Sequence, residues 1–180
     1  MTPSLFARPM YLLGHLGIGL GIAWLASTRT TRVLDYRLVL LGAILPDLVD
    51  KPLGYLLGLE SRLWAHTLVF LGSVLLVSAV PSVRVLASAA VGIATHLLLD
   101  RMWEQPWVFV WPALGATFPS DGVNLFNILR VLVEDPIVLG GEIVGVVVLV
   151  LFARTQGIRS WSALRAFLRN GHPPTVAHNP

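Results

Sequence analysis

The chain has 180 residues, of which 55% are hydrophobic and only 13% charged, and its mean hydropathy of +0.74 is too high for an ordinary soluble domain. It contains no cysteine, which excludes disulfides, thiolate metal sites and cysteine nucleophiles. The formal charge of +3 is a small basic excess, and its placement points to membrane topology rather than to nucleic-acid binding.

Five stretches reach or approach the roughly 20 apolar residues that cross a bilayer. The first begins near Pro9, runs through YLLGHLGIGLGIAWLAS and carries His15 near its start. Gly17 and Gly21 in this stretch form a G-x-x-x-G face for close helix packing. Arg8 precedes it, but no small-residue cleavage site follows, so the segment is expected to be a span rather than a removable signal. The second stretch, YRLVLLGAILPDLVD, is expected to be interrupted at Pro46, and it ends on Asp47 and Asp50. HTLVFLGSVLLVSAV opens on His66, and VRVLASAAVGIATHLLLD, beyond a hinge at Pro81, ends on His96 and Asp100. The last, PIVLGGEIVGVVVLVLF, carries Glu142. The expected fold class is therefore all-α, a polytopic membrane bundle of about five helices over residues 1–153, without internal repeats.

Residues 154–180 read as a basic appendage. In IRSWSALRAFLRN, Ile158, Trp161, Leu164, Phe167 and Leu168 fall near one stripe, the pattern of an interfacial amphipathic helix. His172 and His178 beyond it read as solvated tail residues. Arg29, Arg32 and Arg37 surround the first connection, Arg84 marks the third, and Arg154, Arg159, Arg165 and Arg169 follow the last span. The positive-inside rule makes those connections cytoplasmic, with the N-terminus outside and the C-terminus inside. The opposite side holds Arg8, Lys51, Arg62, Arg101 and Arg130, diluted by Glu60, Glu104, Asp121, Glu134 and Asp135.

In that alternating topology His15, Asp47, Asp50, His66, His96, Asp100 and Glu142 all converge on the non-cytoplasmic end. His96 and Asp100, four residues apart on a helix, share a face. Taken singly, each piece has a plain structural reading: a helix-end pair for His96 and Asp100, a turn for Asp47 and Asp50, an interfacial histidine for His66, and a helix-start carboxylate for Glu142. Together they form three imidazoles and four carboxylates with no Lys or Arg counted among them, and such a set repels itself unless cations are present. Two divalent ions balance four carboxylates, and a mixed His/Asp/Glu set suits Zn²⁺, Mn²⁺ or Fe²⁺ better than Ca²⁺.

At these residues the sequence resembles the LexA-regulated, membrane-bound metal-dependent hydrolases, the YdjM-like inner-membrane proteins. GHLGIG around His15, GAILPDLVD with Asp47 and Asp50, RLWAHTLVF with His66, THLLLD with His96 and Asp100, and VWPALG with Trp111 carry the resemblance over roughly residues 10–115. Where the family usually has a histidine after the second aspartate and a Gly-Phe-Thr-His-Ser run, this chain has Lys51 and WAHTL. The family's later glutamate corresponds to Glu142 or Glu134. The resemblance implies an integral membrane metal-dependent hydrolase. The helical His/Asp setting is also remotely similar to zinc-dependent phospholipase C and single-strand nuclease enzymes, by analogy only.

The expected activity is hydrolysis of a phosphoester or other ester of a lipid or amphiphilic molecule, with metal ions activating water and polarising the substrate oxygen. Asp50 or Glu142 is the candidate general base. Trp103, Trp107 and Trp111, in WEQPWVFVWPALG, are either an aromatic belt at the interface or a loop that guides substrate. Membrane lipids are the expected partners, and no nucleic acid. The competing class is a membrane protein that binds metal without turnover or passes ions or protons; clustering of the ionisable groups at one end favours a one-sided site over a pathway.

Overall fold

A computed structural model describes residues 11–29, 34–118, 120, 130 and 132–172. The calls made on Arg8, Pro9, Arg32, Asp121 and His178 lie outside the described residues. The described chain is helical, with helices α1 (Leu12–Ser27), α2 (Tyr36–Leu57), α3 (Leu68–Ser78), α4 (Leu86–Leu99), α5 (Pro106–Phe109), α6 (Pro136–Thr155) and α7 (Trp161–Asn170).

Asp35 starts α2 by accepting from the amides of Arg37 and Leu38, and Gly58 ends it in the left-handed region at φ 65°, where glycine meets no Cβ penalty. Pro46 was expected to interrupt this span. Instead α2 runs for 22 residues through both Pro46 and Pro52, because tertiary packing on α1 and α4 holds the helix where proline removes single backbone bonds. Pro81 does mark a break: α3 ends at Ser78, a short 3₁₀ turn spans Pro81–Val83, and α4 begins at Leu86.

Glycine sets how closely the helices cross. A Cβ on Gly17 would run into the backbone of Gly145 on α6, and one on Gly42 into the backbone of Ala89 on α4. The small-residue face read at Gly17 and Gly21 is thus in use: Gly17 lies on α6 backbone and Gly21 against the Val148 side chain. Such backbone approach is how helices associate where lipid removes the hydrophobic drive between them.

Among the described residues only α6, at 20 residues, is both long and apolar enough to cross a membrane, by length and composition. The apolar helices α1, α3 and α4 have 16, 11 and 14 residues, so α3 covers only about 16 Å of a hydrocarbon core about 30 Å thick. The five-span expectation is therefore reduced to five helices in the expected places, one of them, among the described residues, both long and apolar enough to span. Their outer faces are nonetheless apolar: no residue of α3 is buried, and Leu25, Leu56 and Leu76 are more than half exposed. Apolar surface of that extent marks contact with lipid or a partner.

α7 packs back onto the helices that precede it. Phe167 joins Leu20, Tyr36 and Phe152 in a buried cluster, with Ile158 and Leu164 against it, whereas Trp161 and Leu168 stay exposed. The stripe expected to face lipid is therefore divided, half of it turned into the protein. The Arg37 guanidinium caps the end of α7 by donating to the carbonyls of Leu168 and Arg169, favoured there by the helix dipole. His172, read as a solvated tail residue, lies with Nδ1 3.2 Å from the Leu34 carbonyl.

Candidate metal centre

The site assembles where the start of α1, the last part of α2, the Trp64–His66 turn and the end of α4 meet. His15, Asp50, His66, His96 and Asp100 are all buried, and Asp47 is 18% exposed.

Asp50 is fully buried. Its Oδ2 accepts the amides of Leu63 at 2.8 Å and His66 at 3.2 Å, and its Oδ1 accepts the amide of Ala65 at 3.1 Å. These bonds wrap the turn before α3 around one carboxylate, and they require acceptor oxygens. The His66 Nδ1, 2.7 Å from Oδ2, therefore carries the proton and donates. On α4, His96 Nδ1 lies 2.8 Å from the Ala43 carbonyl, an acceptor only, so it too donates. In its neutral form each ring turns the lone pair of Nε2 inward, and these two nitrogens are 3.2 Å apart. Two lone pairs at that distance repel unless a cation lies between or beside them. Two imidazoles on one tetrahedral zinc hold their nitrogens about 3.3 Å apart, given Zn–N distances near 2.05 Å.

Asp47 Oδ1 completes a three-group cluster, 3.7 Å from His66 Nε2 and 3.9 Å from His96 Nε2. A second cluster shares His96: His15 stacks on it with ring centroids 4.0 Å apart, and His15 Nε2 faces Asp100 Oδ1 at 3.2 Å. The ligand atoms of each cluster lie within 4.8 Å of one another. Neither nitrogen of His15 nor Asp100 Oδ1 makes an aligned hydrogen bond, although all three atoms are buried. Buried polar atoms left so are rare in a folded chain.

Each carboxylate of the two clusters has its second oxygen held by a cation. Lys51 Nζ donates to Asp47 Oδ2 at 2.6 Å, and Arg62 Nε donates to Asp100 Oδ2 at 3.0 Å. This corrects the sequence reading, which counted Lys51 and Arg62 among the loop charges and found no cation in the cluster. Arg62 lies between α2 and the Trp64–His66 turn and is only 8% exposed. Its signal was available, four residues before His66, but nothing in the sequence showed that it folds inward.

Glu142 is placed elsewhere. Its Oε1 accepts the amides of Tyr11 at 3.1 Å and Gly14 at 2.8 Å, and its Oε2 accepts that of Leu13 at 3.0 Å. It is a carboxylate on the positive end of α1, outside both His/Asp clusters, and Asp50 belongs to neither cluster. The oxygens of these two residues, expected to serve as ligands or general base, are engaged in supporting His66 and the start of α1. Glu134, the other candidate, is exposed and paired with Arg130.

The aromatic segment divides as well. Trp103 and Trp107 are about half exposed. Trp111 stacks on Phe118 at 5.7 Å, and Phe118 meets Trp64 edge-on at 5.3 Å, so Trp111 is joined through Phe118 to the Trp64–His66 turn. Arg101, directly after Asp100, takes a left-handed backbone at φ 53°, an uncommon state for a residue with a side chain that turns the chain sharply into the aromatic segment.

No curated protein and no solved structure matches this chain. The family model described as YdjM inner membrane protein matches residues 10–167, a range that takes in every residue of both clusters, and the chain belongs to the YdjM inner membrane protein family.

Proposed function

We propose that this protein is a metal-dependent hydrolase of the membrane, acting on an ester, foremost a phosphoester, of an amphiphilic molecule. The observation that carries the proposal is the pair of inward Nε2 lone pairs of His66 and His96, 3.2 Å apart. One divalent ion, foremost Zn²⁺, with Mn²⁺ or Fe²⁺ as alternatives, is held by His66, His96 and Asp47. Three protein ligands leave the open position of a catalytic rather than a structural site. The charge count favours one ion over two: Asp47, Asp50 and Asp100 against Lys51 and Arg62 leave one negative charge.

When bound, the ion supplies a Lewis acid that lowers the pKa of water and polarises an ester oxygen. The chain's residues do the rest. Asp50 and the Ala43 carbonyl fix the tautomer and direction of the two imidazoles. Lys51 and Arg62 hold the outer carboxylate oxygens. Asp100 Oδ1, which has no aligned hydrogen bond, accepts the proton of the attacking water, with His15 beside it to share that proton. Asp47, the member most open to solvent, marks the entrance. The chain crosses the membrane several times, the site lies at the non-cytoplasmic end, and the arginine-rich end carrying α7 lies in the cytoplasm.

The second reading, a binding or proton-carrying protein without turnover, is favoured by the same short Nε2–Nε2 distance, since a shared proton would also relieve it. Metal analysis and a substrate assay separate the two. Detergent-purified protein is expected to hold one equivalent of zinc, lost in His66→Ala and His96→Ala, and to cleave bis-p-nitrophenyl phosphate only when zinc-loaded. Absence of metal after reconstitution would falsify the metal reading; bound metal with no cleavage of any phosphoester or carboxylic ester offered would leave a binding protein.

A further inference from the structure

We propose that Arg62 is the substrate's anion-binding group, receiving a phosphoryl oxygen beside the imidazole pair, and that the substrate is a monoanionic phosphodiester. The assignment rests on the hydrolase reading for what is cleaved, but not for the anion site itself.

The geometry of Arg62 is unusual for a guanidinium paired with a carboxylate. Its Nε and Nη2 both approach the same oxygen, Asp100 Oδ2, each at 3.0 Å, instead of spanning both oxygens in the two-pronged arrangement guanidinium favours. The other oxygen, Oδ1, faces His15. Only the Nε bond is aligned, and Nη2, although buried, keeps no hydrogen bond. A guanidinium carries five N–H donors and cannot deprotonate, so unmet donors in a buried site are costly. They are tolerated where a ligand supplies the acceptor.

The position of the spare donors identifies that ligand. Asp100 Oδ2, which Nη2 touches, is 3.8 Å from His66 Nε2, so Nη2 is separated from the imidazole pair by a single carboxylate oxygen. An oxyanion accepts from a guanidinium and binds a metal ion with neighbouring oxygens, and arginine suits phosphate better than a neutral ester carbonyl. Charge sets the ionisation. The side chains leave one negative charge; one divalent ion turns this into one positive charge, and a phosphodiester monoanion brings the buried site to neutrality. A phosphomonoester dianion would overshoot. The rim agrees with an apolar substituent, because Trp64, two residues from Arg62, is 38% exposed and leads to Phe118 and Trp111.

The test is calorimetric titration of the full-length, zinc-loaded protein in detergent with dimethyl phosphate, with zinc content measured on every sample. Arg62→Met is expected to weaken dimethyl phosphate binding at least tenfold while zinc is retained. Arg62→Lys, which keeps the charge but loses the planar donors, is expected to fall between. Unchanged affinity in Arg62→Met with zinc retained overturns the assignment. So does zinc lost from Arg62→Met, but kept by Arg62→Lys at wild-type phosphate affinity, which would make Arg62 only a prop for Asp100. Wild-type protein that holds no zinc sinks the metal reading alone; the same comparison on metal-free protein then decides the anion site. Dihexanoyl phosphatidylglycerol competing with dimethyl phosphate where glycerophosphoglycerol does not would identify a lipid diester as the source, and the reverse a soluble one.

Discussion

Asp50→Asn separates a carboxylate that positions a ligand from one that is a ligand or a base. The native side chain accepts four bonds, three at Oδ2 and one at Oδ1. An asparagine can supply one oxygen and one NH₂ group. Placed with its oxygen at the Oδ2 position it keeps the bonds from Leu63, His66 and the His66 ring, and it turns an N–H towards the Ala65 amide. The Ala65 amide and the new NH₂ group are then both orphaned donors, which costs at least about 1–3 kcal/mol of stability. The His66 tautomer survives, but it is held by a neutral acceptor instead of a carboxylate. Loss of such outer partners lowers metal affinity roughly 10–100-fold, or about 1.4–2.8 kcal/mol. Thermal unfolding in detergent measures the first quantity and chelator competition the second. Wild-type zinc affinity in Asp50→Asn would refute the orienting role; zinc loss as complete as in His66→Ala would make Asp50 a ligand.

Glu142→Gln orphans one α1 amide and is expected to lower stability by about 1–3 kcal/mol with zinc content unchanged; zinc loss would return Glu142 to the ligand set. Because ligands act as a unit, zinc affinity in the double variant Asp47→Ala/His96→Ala is expected to fall little beyond the worse single variant, and additive losses measured by chelator competition would put the two residues in separate sites. Gly17→Ala places a methyl against Gly145 backbone and is expected to cost at least about 1–3 kcal/mol in thermal unfolding; wild-type stability would show that α1 and α6 can part freely. At the far end, burial pushes the Asp35 carboxyl up, but the Arg37 guanidinium and the amides of Leu38 and Arg37 more than offset this and hold it below its ordinary value. A carboxyl lowered on folding contributes stability above its unfolded pKa of about 4, lost as pH falls through the folded value. Asp35→Asn should therefore destabilise at pH 7, and its deficit should shrink below about pH 4. With no native cysteine, Ser120→Cys is expected to label from outside and Ser160→Cys only after permeabilisation; the reverse pattern inverts the topology and leaves the site intact.

The helices and the gathering of His15, Asp47, His66, His96 and Asp100 were legible because helical spacing and alternating topology fix which end of a bundle a residue occupies. That reasoning stops at the end of the helix. It counted Asp50 and Glu142 among the ligands but could not tell that their oxygens accept from backbone amides, since those bonds depend on how the turn at 63–66 and the start of α1 fold over them. Pro46 misled for a related reason: a proline's local cost is certain, but whether it breaks a helix depends on packing the sequence does not display.

The largest revision concerns charge, and it changes what the site can do. A cluster of carboxylates without cations calls for metal alone, and two ions at that. With Lys51 on the outer oxygen of Asp47 and Arg62 on the outer oxygen of Asp100, each of these two carboxylates already has its counter-charge, and the remaining demand is smaller and more directional. In a low-dielectric setting that difference matters, because an excess of positive charge would be as costly as the negative excess it relieved. On the proposed reading, one ion seated on the two imidazoles would leave room for a single negative charge, brought by the substrate.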